Sequence, residues 1–220
     1  SMVLAEGALW LFLPRYISLP KVRWNKVRKN IAPILQLFIP VLALSVFHIM
    51  DKTMLNMLSN DANSGYYYNA DKLINIPLQL ITGMSAVMLP RVANTLHTEG
   101  NGKVMELLRK SAELTLFLTC AIAFGIGAIS DSFVPFFFGN GYEPCITLIK
   151  VFVPVLVIKA LSDFIRTQYL IPTGKDKLYT IAVLGGALSN VIVNYIMILR
   201  CGALGAVIGT LVAESIVLVI

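Results

Sequence analysis

The sequence predicts an all-α membrane protein, a polytopic bundle of transmembrane helices, and two observations carry that prediction. First, the 220 residues are 57% hydrophobic and only 14% charged, with a mean hydropathy of +0.76, whereas soluble domains carry about 25% charged residues. Second, four stretches contain no Asp, Glu, Lys or Arg: residues 31–47, 73–90, 114–130 and 178–199. A helix of about 20 apolar residues crosses the hydrocarbon core of a bilayer. The composition therefore excludes a soluble or disordered chain.

Each uncharged stretch lies inside one predicted span, and two further spans contain isolated charged residues. We expect the chain to be part of a longer transporter, because it opens inside an apolar run and closes within a span too short to cross the membrane. The predicted order is the end of a helix at 1–13, a basic loop at 14–30, and spans at about 31–58, 66–95, 107–138, 145–170, 178–199 and a truncated 203–220.

Basic residues concentrate on alternate connections. Thirteen of the eighteen Lys and Arg residues lie in three segments, 14–30, 91–113 and 166–177, whereas the connections between them contain only Arg200. Loops rich in Lys and Arg stay in the cytoplasm, so we expect these three segments to be cytoplasmic. The net charge of +6 is then a topology signal rather than a sign of nucleic-acid binding. Segment 14–30 is expected to contact anionic membrane lipids.

The three cysteines predict no metal site and no disulfide framework. Cys120, Cys145 and Cys201 lie in or beside apolar runs, and the sequence contains no CxxC pair or Cys/His cluster. We interpret them as small packing residues and expect no cofactor.

Ionisable and amide side chains recur inside the predicted spans at helical spacing. Each ionisable group costs about 2.5–3.5 kcal/mol at mid-membrane, and such groups usually face a bundle interior or a wet cavity. Polar faces on otherwise apolar helices therefore predict a hydrated cavity of mixed charge. The candidate cavity residues are Asp51, Lys52, Asp71, Lys72, Lys159, Asp163, Arg166, Asn190 and Asn194, with Arg15 at its cytoplasmic mouth.

The first two complete spans form a hairpin whose turn centres near residues 61 and 62. Antiparallel pairing about that centre sets Lys52 opposite Asp71 and Asp51 opposite Lys72. Two interpretations stay open at this point. The pairs are either structural clamps of the hairpin or parts of a proton or cation site.

Lys159 lies near the middle of its span, and Asp163 follows one turn later. One interpretation is a local ion pair between them. The other is that the Lys159 ammonium binds an anionic group of a substrate, with Arg166 and Arg15 extending the basic surface, since Arg favours bidentate contacts with phosphate.

Four residues are candidates for ion coupling: His48, Asp51, Asp71 and Glu214. His48 titrates near neutral pH unless its surroundings shift it, and simple hydrogen bonding is the alternative. The three consecutive tyrosines at 66–68 are interpreted as an interfacial aromatic belt, with stacking on sugar rings as the alternative.

Three short motifs carry a resemblance to a known family. They are DKTML at 51–55, GYYYNADKLINIP at 65–77 and VMLPR at 87–91, and LIPTGK at 170–175 adds a short connection of the same type. In these motifs the chain resembles the polysaccharide-repeat-unit flippases, of O-antigen and capsule type, of the multidrug/oligosaccharidyl-lipid/polysaccharide (MOP) exporter superfamily. The matching residues are Asp51, Gly65, Tyr66, Ala70, Lys72, Pro90 and Arg91.

The resemblance implies a transporter rather than an enzyme. It makes residues 31–220 the second six-helix lobe of a two-lobe protein of the bacterial inner membrane, and the first lobe of the same protein its partner. It implies an undecaprenyl-diphosphate-linked oligosaccharide as substrate, flipped to the outer leaflet by alternating access for cell-surface polysaccharide synthesis. A coupling cation, H⁺ or Na⁺, is a further expectation.

Three alternatives remain. A structural or assembly subunit without a pathway of its own would need no charged faces inside the membrane, and the sequence contains them. A drug or cation antiporter of the same superfamily predicts an acid-dominated cavity, whereas the cavity residues here are mixed in charge. A membrane enzyme of envelope synthesis needs a paired-carboxylate or metal site, or a long extramembrane loop, and the sequence has no DxD motif.

Overall fold

A computed structural model describes residues 24–220, and for part of 25–48 and for Asp176 it describes the backbone alone. The chain divides into two compact units, residues 1–38 and 39–220. The described part is all-α, as the sequence predicts. Its elements are α1 (Trp24–Leu58), α2 (Asp61–Thr98), α3 (Asn101–Phe138), α4 (Pro144–Phe164), a π-helix (Ile165–Leu170) that continues α4, α5 (Asp176–Cys201) and α6 (Ala203–Val219).

Four of the described helices are long and apolar enough to cross a membrane: α2, α3, α4 with its π-helix, and α5. Helix α6 is apolar but shorter, with 17 residues. Large apolar side chains such as Phe117, Phe124 and Phe136 remain exposed on α3. A soluble domain rarely exposes such a surface, so the chain is a multi-pass membrane protein.

The helices begin earlier than the predicted spans. Helix α1 begins at Trp24, so the last part of the predicted 14–30 loop is helical, and α2 and α3 begin at Asp61 and Asn101 instead of about 66 and 107. The reason is that a helix does not end where the bilayer ends. Each of α2 and α3 has 38 residues, about 57 Å, which is longer than a hydrocarbon core of about 30 Å. The predicted helix end at 1–13 and Arg15 lie outside the described residues.

Local signals set the ends of the helices. Asn60 is the N-cap of α2, and its side chain accepts a hydrogen bond from the backbone N–H of Asn63 at 2.9 Å. Gly100 turns the chain from α2 to α3 with φ of 81°, and Gly202 turns it from α5 to α6 with φ of 55°. Side chains disfavour this left-handed region, which glycine enters freely.

The core of residues 39–220 forms where the end of α1 meets α2, α4 and α6. Leu55, Tyr67, Phe152 and Val207 are each at most 2% exposed, and the rings of Tyr67 and Phe152 lie 5.6 Å apart. Inside a bilayer, close van der Waals packing and buried polar contacts hold helices together, because lipid tails are as apolar as the side chains.

Helices α5 and α6 approach each other closely because glycines line their contact. A Cβ atom on Gly205 would overlap the backbone carbonyl of Met197, and one on Gly186 would overlap Val217. Small residues at such positions let helix backbones meet. This contact holds α6 in place, and α6 carries two of the polar residues described below.

We expect Gly205→Ala to lower the stability of the full-length protein by about 1–3 kcal/mol, the usual cost of overpacking. The new methyl group meets backbone atoms, which cannot rotate away. The apparent melting temperature in detergent measures the effect. Gly125→Ala is the matched control, since no described atom lies within 4 Å of that Cβ position. Equal melting temperatures for the two variants would contradict the prediction.

Candidate functional site

A buried carboxylate, Asp51, joins four helices in a cluster of polar side chains. Its Oδ2 accepts hydrogen bonds from the hydroxyls of Thr210 on α6 at 2.9 Å and Tyr67 on α2 at 3.1 Å. Its Oδ1 accepts one from the amide of Asn194 on α5 at 2.6 Å, and the same amide donates to Asn190 at 3.0 Å. We call these five residues the Asp51 cluster.

All the hydrogen bonds that the Asp51 carboxylate accepts within the cluster come from neutral donors. Asp51 is 5% exposed, and Asn190 and Asn194 are fully buried. Among the residues whose side chains are described, no Lys or Arg lies within ion-pair distance of Asp51. A buried charge without a counter-charge is costly, so the cluster is suited to hold a proton or a small cation.

A second cluster lies beside a cavity between α2, α4, α5 and α6. Lys159 Nζ lies 3.8 Å from Glu214 Oε1, and both side chains are 10% exposed. Arg166 Nη1 lies 3.8 Å from Asp163 Oδ1, and its guanidinium covers the ring of Tyr179 at 5.0 Å. We call Lys159, Glu214, Asp163 and Arg166 the Lys159 cluster.

The cavity has a volume of about 160 Å³ and is lined by all four members of the Lys159 cluster. Ser162, Tyr179 and Thr82 add polar groups to its wall, and Leu78 contributes an apolar side. Ser162 Oγ and Asp163 Oδ2 are buried and have no hydrogen-bond partner among the described residues. Buried polar atoms are normally paired, so these two atoms point to water or a ligand in the cavity.

Of the two hairpin pairs predicted from the sequence, one forms. Lys52 Nζ lies 3.0 Å from Asp71 Oδ2, and Asn75 donates to Asp71 Oδ1 at 2.7 Å. Asp51 does not pair with Lys72, which is exposed on α2. Neighbouring residues on a helix point about 100° apart, so Asp51 faces the core when Lys52 faces the surface.

The local ion pair between Lys159 and Asp163, one of the two interpretations left open by the sequence, does not form. Lys159 reaches across to Glu214 on α6 instead, and Asp163 pairs with Arg166. Tyr67 is also not part of an interfacial belt, because it is 2% exposed and donates to Asp51. The side chain of His48 lies outside the described residues.

Buried hydrogen bonds that the sequence did not predict connect the π-helix to α2 and α3. We call Gln168 with its partners Ser111 and Ser85 the relay. Gln168 is fully buried. Its Oε1 accepts from Ser111 on α3 at 2.6 Å, and its Nε2 donates to Ser85 on α2 at 3.3 Å. Ser85 in turn lies beside the Asp163 carboxyl. The signal in the sequence was present but weak, since Ser85 shares a helical phase with the buried Ile81 and Val92.

Comparison with known proteins finds one matching family model and two solved structures with a similar fold. A family model described as lipid II flippase MurJ matches residues 3–220. Comparison with curated proteins finds no match. Two solved structures share the fold, each with a TM-score of 0.67 and 17% identity over 84% of this chain: an outward-facing multidrug resistance MATE family transporter of the MOP superfamily, and a MOP superfamily transporter from Pyrococcus furiosus.

The chain spans 42% and 41% of those two structures, and at 17% identity the likeness extends to the fold alone. These matches support the predicted exporter superfamily. They do not confirm the narrower O-antigen and capsule type.

We expect Gln168→Met to lower the stability of the full-length protein by about 1–2 kcal/mol, because Ser111 and Ser85 lose a buried partner. Gln79→Met is the matched control, since Gln79 is exposed on α2. Thermal unfolding in detergent compares the two. A Gln168 variant as stable as the Gln79 variant would show that the relay contributes nothing to the fold.

Proposed function

The chain belongs to the lipid II flippase MurJ family, and we propose that the full-length protein moves a lipid-linked precursor from the inner to the outer leaflet of the bacterial inner membrane. The family match over residues 3–220 carries this proposal. The buried Lys159 cluster supports it, since charges inside a membrane bundle usually mark a substrate or ion pathway. A flippase makes and breaks no covalent bond, so the protein would not be an enzyme.

For the substrate we propose lipid II first and an undecaprenyl-diphosphate-linked oligosaccharide second. A diphosphate headgroup needs cations, and Lys159 and Arg166 line the cavity of the Lys159 cluster, while Lys72 is exposed elsewhere on α2. Arg binds phosphate oxygens in a bidentate fashion, whereas Lys acts as a point charge. The Lys159 cavity contains as many basic as acidic groups, which argues against the antiporter alternative with its acidic cavity.

For the mechanism we propose alternating access between two lobes, of which residues 39–220 form part of the second. The solved MOP structures are more than twice as long as the matched part of this chain, and lobes that rock about a midplane site are a common transporter design. We further propose that the basic segments 14–30, 91–113 and 166–177 lie in the cytoplasm.

For the driving force we propose that a monovalent cation, H⁺ or Na⁺, binds at the Asp51 cluster. The Asp51 carboxylate, the Thr210 and Tyr67 hydroxyls and the amide oxygen of Asn190 supply hard oxygen donors, which small hard cations prefer. One carboxylate matches one positive charge. Asp71 is less suited, because Lys52 already neutralises it. Glu214 is also less suited to bind the cation, because Lys159 already lies beside its carboxylate.

We expect Lys159→Ala to reduce flipping of lipid II by at least tenfold in proteoliposomes of the full-length protein, because a charged contact to phosphate is worth about 1.5–3 kcal/mol. The yield of folded protein should fall much less, since Glu214 still borders a cavity. Lys150→Ala is the control, because Lys150 lies on the same helix, is exposed and pairs with Asp131 at 2.8 Å. Normal flipping by the Lys159 variant would remove it from the site.

We expect Na⁺ or a lower pH to raise the melting temperature of the wild-type full-length protein, and Asp51→Asn to abolish that response. A ligand at 100 times its Kd stabilises the folded state by about 2.7 kcal/mol. Titrations with NaCl against KCl, and across pH 5–8, separate the two cations. Asp61→Asn, an exposed Asp at the start of α2, should keep the response. A response that survives in Asp51→Asn would place the cation elsewhere.

A further inference from the structure

The Asp51 and Lys159 clusters lie on one face of α6. Thr210, which donates to Asp51 at 2.9 Å, is followed four residues later by Glu214, which lies 3.8 Å from Lys159. Residues four apart on a helix are neighbours about 6 Å apart. Glu214 therefore stands one turn from the Asp51 cluster and at the wall of the cavity.

On the other side of the cavity, α4 continues the polar row away from Asp51. Lys159, Asp163 and Arg166 follow one another at spacings of four and three residues, so they share a helix face. Exposure of the side chains rises along this row, from 10% at Lys159 to 18% at Asp163 and 34% at Arg166. The row thus leads from a buried end at Glu214 to a more open end at Arg166.

The space between these groups is large and polar enough for water. A water molecule occupies about 30 Å³ and needs two to four polar partners, and the cavity offers about 160 Å³. Both ion pairs measure 3.8 Å, which is longer than a direct hydrogen bond and leaves room for bridging water. Ser162 Oγ supplies a buried polar atom without a described partner, and the Asp163 carboxyl supplies a second polar group at the cavity wall.

We propose that this cavity is a water-filled passage through which the coupling cation, H⁺ or Na⁺, exchanges between the Asp51 cluster and water, with Glu214 as the carboxylate nearest to the cluster. The inference rests on the proposed binding of that cation at Asp51. It adds the route and names the side to which the route opens, the end of the lobe that carries Arg166, where a cation that drives flipping is released.

The charged and titratable groups around Glu214 come from three helices. Lys159, Asp163 and Arg166 face it from α4, Tyr179 from α5 and Asp51 from α1. Lys159 closes the passage, because its ammonium lies beside the Glu214 carboxylate when no cation is bound there. The flexible four-carbon stem of a lysine lets it turn to Asp163, one turn along α4, when a cation passes.

Thiol labelling tests whether the passage is wet. In full-length protein freed of other cysteines, Ser162→Cys should react with a charged, water-soluble thiol reagent, and Na⁺ or low pH should change the rate. Thr115→Cys is the matched control, because Thr115 is also a buried hydroxyl without a described partner but lines none of the described cavities. Folded Ser162→Cys protein that reacts no faster than Thr115→Cys would overturn the proposal.

Binding kinetics test the role of Glu214. We expect Glu214→Gln to slow the uptake of radioactive Na⁺, or of protons from a pH indicator, at least tenfold while leaving the amount bound at saturation unchanged. Asp51→Asn should abolish the bound amount. If wild-type protein binds neither cation, or Asp51→Asn binds normally, cation binding at Asp51 fails and the passage with it. If the wild-type protein binds a cation, Asp51→Asn does not, and Glu214→Gln binds it at the normal rate, only the proposed passage is wrong.

Discussion

The buried Asp51 carboxylate is the group on which the packing of residues 39–220 depends. It lies on α1 and accepts hydrogen bonds from side chains on α2, α5 and α6, so four helices meet at one buried group. Burying it costs several kcal/mol unless donors surround it. The donors in turn fix how each helix is rotated, because Tyr67, Asn194 and Thr210 reach Asp51 only from one helical phase.

Charge balance inside the apolar bundle is the second constraint. The Lys159 cluster contains two basic and two acidic groups around one cavity, and Lys52 compensates Asp71 on the hairpin. Ion pairs in a low-dielectric interior barely repay their desolvation, so they are poor devices for stability alone. The proposed transport of a charged substrate or ion rests on their arrangement beside an open space.

Helix packing gives these polar groups their positions. Glycines on α5 and α6 permit the close approach that brings Asn194 and Thr210 to the same carboxylate, and a Cβ on Gly209 would occupy the place of the Asn194 amide. The π-helix after α4 widens the turn that carries Gln168 into the core. Such π-helical turns are rare and often accompany functional sites.

The sequence by itself determined the helical membrane class, the number and order of the described helices, and which residue types are costly inside them. Hydropathy and helical spacing carry that information because they depend on local composition. The Lys52–Asp71 ion pair could also be predicted from the sequence, because it follows from antiparallel pairing about the hairpin turn. Only the tertiary structure decided that Lys159 pairs with Glu214 and that Asp51 gathers Tyr67, Asn194 and Thr210. Those partners lie up to 159 residues apart, and no local periodicity encodes how distant helices rotate against each other.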